Sequence, residues 1–100
     1  YFSLRQYDQA ISDATKVISL DSKLLAGYSN RAAAYQKKSM FNEALADLNQ
    51  ALELSPRSSE LYFGRAEVYA ALGKMDEAQA DLKKFDEFNL LKINFEEVKK

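Results

Sequence analysis

Residues 25–58 read LAGYSNRAAAYQKKSMFNEALADLNQALELSPRS, and the spacing of their apolar side chains decides the fold. Tyr28, Ala32 and Tyr35 recur at intervals of four and three, which places them on one face of a helix. Ala44, Leu48, Ala51 and Leu52 do the same on a second helix, after an interruption at Lys37-Lys38-Ser39-Met40. A break that short turns the chain back on itself, so the stretch is expected to form two antiparallel helices. Ser55-Pro56-Arg57-Ser58 ends the pair, because proline lacks the N–H that would continue the helix.

The same pattern returns at an offset of 34 residues. Tyr7, Phe41 and Met75 align, as do Ala10, Ala44 and Ala78, and Asp13, Asp47 and Asp81. Tyr1 falls in register with Tyr35 and Tyr69, Tyr28 with Tyr62, Arg31 with Arg65, and Ala32 with Ala66. One such coincidence means little, but this many at one offset indicate an internal repeat. The small residues at Ala10, Ala32, Ala44, Ala66 and Ala78 leave room for close helix approach, and Tyr28, Tyr35, Tyr62 and Tyr69 are read as packing bulk. Arg31 and Arg65, recurring together with Asp13, Asp47 and Asp81, are expected to form ion pairs or hydrogen bonds between helices. Asp8, Asn42 and Asp76 are expected just ahead of the second helices as N-caps, and Lys37 and Lys38 at the carbonyl end of a first one.

This set of residues, Tyr28, Arg31-Ala32, Tyr35, Phe41, Ala44, Leu48, Ala51 and Pro56, resembles the tetratricopeptide repeat. The expectation is an all-α chain of antiparallel helix-hairpin repeats stacked as a short α-solenoid, which the resemblance makes a right-handed superhelix. One repeat domain over 1–100 divides into a partial repeat over 1–24, repeats over 25–58 and 59–92, and the start of a C-terminal capping helix over 93–100. The apolar series Phe88, Leu90, Leu91, Ile93, Phe95 and Val98 is expected to form that cap, since terminal repeats need one. At the other end, the apolar side of the helix holding Ala10, Ala14 and Val17 has no first helix to cover it, which suggests a piece of something longer and self-association through that end.

Composition narrows the function. The 100 residues contain no Cys and no His, so disulfides, thiolate or imidazole metal ligands and the commonest nucleophile–base pairs are unavailable. Lys and Arg number 14 against 15 Asp and Glu, intermixed, which gives no electrostatic footprint for nucleic acid or an anionic membrane. No apolar run reaches the roughly 18 residues of a membrane span. The chain therefore reads as a soluble, non-enzymatic protein with no cofactor or metal, the cytoplasm being the default compartment for a sequence without cysteine.

The resemblance implies a protein or peptide partner, held in a concave groove lined by the first helix of each repeat. In the middle repeat the helix phase assigns Ala26, Ser29, Asn30, Ala33, Gln36 and Lys37 to that groove, and in the next repeat Glu60, Phe63, Gly64, Glu67, Ala70 and Ala71. Tyr28-Ser29-Asn30-Arg31-Ala32 is similar to the segment with which chaperone-binding members hold the terminal carboxylate of a heat-shock chaperone tail. Those members place a Lys and an Arg on the following first helix, where this sequence has Glu60 and Gly64, so the positive half of such a clamp is missing. A purely structural segment of a longer solenoid scaffold is the remaining alternative.

Overall fold

A computed structural model describes the backbone of residues 4–98 and the side chains of 5–89. Among the described residues the chain is helical throughout, with α1 over Leu4–Leu20, α2 over Leu25–Lys37, α3 over Phe41–Leu54, α4 over Ser59–Ala71 and α5 over Met75–Val98. It divides into two compact units, Tyr1–Pro56 and Arg57–Lys100. In the first, α2 packs against both α1 and α3; in the second, α4 packs against α5.

The turns inside the two hairpins are built alike. After α2 the N–H of Met40 donates to the carbonyl of Tyr35 (2.8 Å) and that of Ser39 to Gln36 (3.0 Å). After α4, Lys74 donates to Tyr69 (2.8 Å) and Gly73 to Ala70 (3.1 Å). This double closure satisfies carbonyls the helix end would orphan, and it needs a left-handed residue just past the C-cap. Ser39 at φ 62° and Gly73 at φ 80° fill that place, 34 residues apart.

The same closure corrects the expected caps. Met40 and Lys74 already act as the first carbonyl acceptors of the next helices, from Ala44 N–H and Ala78 N–H at 3.0 Å each. Asn42 and Asp76 therefore stand inside the first turns of α3 and α5, and Met40 makes no side-chain cap bond. In α1 the helix begins four residues ahead of Asp8, whose carboxylate instead forms an ion pair with Lys38 just beyond the end of α2. The side-chain cap seen is Ser58, which accepts from Leu61 N–H at the start of α4.

A further correction concerns the end of the chain. The break expected near residue 92 is not there: α5 runs unbroken for 24 residues to Val98, so no separate capping helix begins at 93. Leu90 stands where the middle repeat has Pro56, and neither Gly nor Pro occurs after Gly73 to stop the helix. The side chains expected to form the cap from Leu90 onward lie outside those described.

Small residues let the helices approach closely. Ala32, Ala44 and Ala51 are at most 2% exposed in the first unit, and Ala66 and Ala78 are 3% and 4% exposed in the second. Gly27 marks a close approach between α1 and α2, where a Cβ would lie 2.8 Å from Ile18 Cγ1. Tyr28 is buried as expected, while Tyr35, Tyr62 and Tyr69 are only half-buried. Arginine guanidinium groups lie over these three rings, Arg31 over Tyr35 and Arg65 over Tyr62 and Tyr69, 5.5–5.9 Å from the centroids.

Candidate functional site

Two of the three recurrent aspartates, Asp47 and Asp81, pair with the recurrent arginines in the strongest geometry available to them, while exposed Asp13 accepts from Gln9 Nε2 instead. Arg31 Nε donates to Asp47 Oδ2 (2.8 Å) and its Nη2 to Oδ1 (2.7 Å). Arg65 and Asp81 repeat both bonds at 2.8 and 2.7 Å. A bidentate clasp of this kind ties each first helix to its second and satisfies a carboxylate that would otherwise be costly to bury. Asp47 and Asp81 are only 4% and 3% exposed. The hydrogen bond to the carboxylate holds each arginine above its ordinary pKa, so these guanidinium groups stay charged into strong alkali. Both arginines are committed to the fold and do not serve as an anion site.

Among the described residues each unit has an open cleft. Between α1 and α2 lies a cleft of about 560 Å³ with walls of Tyr7, Ala10, Ala14 and Val17 on one side and Ala26, Gly27, Ala33 and Ala34 on the other. Its polar groups are few: Gln6 and Asp13 from α1, Asn30 and Lys37 from α2. Between α4 and α5 a smaller cleft of about 330 Å³ is lined by Phe63, Ala66, Glu67, Ala70, Met75, Ala78, Gln79 and Leu82. Phe63, Met75 and Leu82 are large apolar side chains left 42%, 55% and 41% exposed, and all three line it. Phe63 is partly engaged, its ring tilted against Phe85 at 5.2 Å.

Of the residues assigned to a groove from the sequence, Ala26, Asn30, Ala33 and Lys37 line the first cleft, and Phe63, Glu67 and Ala70 the second. Ser29 and Gln36 are half-buried and lie off the first cleft; Ser29 Oγ donates to the carbonyl of Ala26 at 3.3 Å. Glu60 and Ala71 are exposed and Gly64 half-buried, all off the second cleft. Helix phase alone missed the opposite walls, which come from α1 and α5, because a phase argument on one helix says nothing of what faces it. The uncovered series Ala10, Ala14 and Val17 was the signal for the first of them.

Among the described residues no cluster of His, Cys, Asp or Glu is placed to hold a metal ion, and no helix is long and apolar enough to cross a membrane. Profiles of the tetratricopeptide repeat match residues 1–24, 26–58 and 48–80. The second tetratricopeptide domain of Spaghetti (RPAP3), solved bound to the HSP90 peptide SRMEEVD, is 33% identical with a TM-score of 0.76, over 79% of this chain and 73% of that one. This chain belongs to the tetratricopeptide repeat family. The first tetratricopeptide domain of Spaghetti, bound to the same peptide, is 32% identical with a TM-score of 0.80, over 83% and 66% of the two chains. A MamA structure superposes with a TM-score of 0.83 at 24% identity, over 87% of this chain, a likeness of fold alone. The chain spans about half the length of the MamA chains it matches. No curated protein matches it by the same standard.

Proposed function

We propose that this tetratricopeptide chain is a non-catalytic protein-interaction module that holds a peptide or a segment of a partner protein against the exposed face of α2 in its first unit. The cleft of the first unit carries the reading: an open apolar trough of about 560 Å³, with Asn30, Lys37, Asp13 and Gln6 as its few polar groups. A mostly apolar concavity with a small number of orienting polar groups suits a side-chain anchor with hydrogen bonds to its backbone. The histidine- and cysteine-free composition and the open walls argue against catalysis. The test is selection of binding peptides from a displayed random library, followed by titration into the parent chain and an Ala33→Arg variant. Ala33 is exposed and lines the cleft, so arginine there blocks the trough without entering the core. The expected result is at least a tenfold loss of affinity; peptides that bind both proteins equally well contradict the reading.

One specific partner has support of its own. The two Spaghetti domains hold a peptide ending in Glu-Glu-Val-Asp, and this chain presents Asn30 and Lys37 in one cleft. Against that stand Glu60 and Gly64, a like charge and a residue without a side-chain donor at the positions where the resemblance calls for a Lys and an Arg. We expect SRMEEVD to bind weakly, with a Kd above about 0.1 mM, and amidation of its C-terminus to change that little. Tight binding lost on amidation would make the chaperone tail the partner.

A further inference from the structure

From α2 to α4 the 34-residue repeat keeps its packing residues and changes its exposed ones. Tyr28, Arg31, Ala32 and Tyr35 return as Tyr62, Arg65, Ala66 and Tyr69, whereas Ala26, Ser29 and Ala33 return as Glu60, Phe63 and Glu67. One face of α4 therefore carries two carboxylates and an aromatic ring where the same face of α2 has small, uncharged side chains.

Glu60, Phe63 and Glu67 stand three and four residues apart, so they form one row, spread over about 10.5 Å of helix axis. Both glutamates are exposed, and among the described residues neither forms an ion pair; Arg57, three residues ahead of Glu60, leaves it unpaired. Phe63 lies between them, 42% exposed, with its ring supported from α5 by Phe85 at 5.2 Å. The row thus offers negative charge, an apolar platform and negative charge again, in that order along the helix.

We infer that this face of α4 holds an extended segment of a partner protein with basic, apolar and basic side chains at alternate positions. Alternate residues of an extended chain point the same way, about 6.7 Å apart. Laid along α4, such a segment sets its central side chain on Phe63 and its outer two on Glu60 and Glu67, the long basic stems taking up the remaining difference in spacing. Arginine suits the outer places, because its fork matches a carboxylate and its plane stacks on an aromatic ring. Complementary charge makes the row a selector, which turns an acidic segment away. The row is shallow, so it reads charge as one contact of a larger interface and holds an isolated short segment with a Kd of about 1 mM, too weak for display selection to retain. It lies wholly in the second unit and goes beyond the reading of the first-unit cleft.

The probe is the peptide GSRSLSRSG, titrated to about 5 mM into the 15N-labelled whole chain while amide chemical shifts are followed. Saturable changes are expected at Glu60, Phe63, Gly64 and Glu67, with a Kd raised at least about fivefold in a Glu60→Gln/Glu67→Gln variant, whose exposed positions leave the fold intact. GSRSSSRSG is expected to bind more weakly, and GSESLSESG to bind only a Glu60→Arg/Glu67→Arg variant. No saturable change, changes centred away from α4, equal affinity for the parent and the glutamine variant, or equal binding of either control peptide to the parent overturns the inference. So does failure of the arginine variant to take up GSESLSESG. If the inference fails in this way while library-selected peptides are still lost with Ala33→Arg, the first-unit interaction module stands.

Discussion

Asp13 and Asp47 are the same residue at the same phase of the repeat, and their surroundings make their worth different. Asp47 is 4% exposed and holds Arg31 through two short bonds, so its removal leaves a half-buried guanidinium without its carboxylate. Asp47→Ala is expected to cost about 2–3 kcal/mol, below the value for a fully buried pair because Arg31 keeps some contact with water. Asp13→Ala is expected to change stability by less than about 0.5 kcal/mol. Urea denaturation of both variants checks the contrast. On the arginine's side the clasp has no pH dependence in the ordinary range: a pKa raised by the partner means the contribution is present below the unfolded value and lost only as pH climbs through the folded one, in strong alkali. The pairing of Arg31 with Asp47 was legible from the sequence because both recur together at one offset. The ion pair of Asp8 with Lys38 was not, because Lys38 has no repeated partner to mark it.

At the scale of the helix and its turn, the hairpins were legible because apolar period, proline and glycine all agree. The N-caps of α3 and α5 were misplaced by two residues, since a closure such as Met40 N–H to Tyr35 delivers the chain into α3 already capped by backbone. The end of α5 was misread for the opposite reason: a family pattern expects a stop, while the local sequence from Lys74 onward contains no residue that stops a helix. The two turns also differ in how well their residues suit them. Gly73 takes φ 80° without strain and Ser39 takes φ 62° against its Cβ. Ser39→Gly is therefore expected to raise stability by about 0.5–1 kcal/mol, and Gly73→Ala to lower it by about 1 kcal/mol. Thermal denaturation reads both; a Ser39→Gly variant that melts earlier would mean the serine side chain supplies something the backbone account omits.

At the scale of the whole molecule, the repeat leaves each unit with an open apolar cleft, and helix phase disclosed only one wall of each. The α2 wall of the first followed from helix phase, and its partner from the uncovered residues Ala10, Ala14 and Val17. The polar balance of the cleft needed the fold, because Asp13, Asn30 and Lys37 come from two helices and share no motif. The central claim is that this cleft is where a partner sits. Chemical-shift mapping of the 15N-labelled chain with a library-selected peptide tests it most directly. The account predicts the largest changes at Ala10, Asp13, Ala26, Asn30 and Ala33, with the α4–α5 cleft little affected; changes centred on Phe63 and Leu82, or none at saturating peptide, would contradict it.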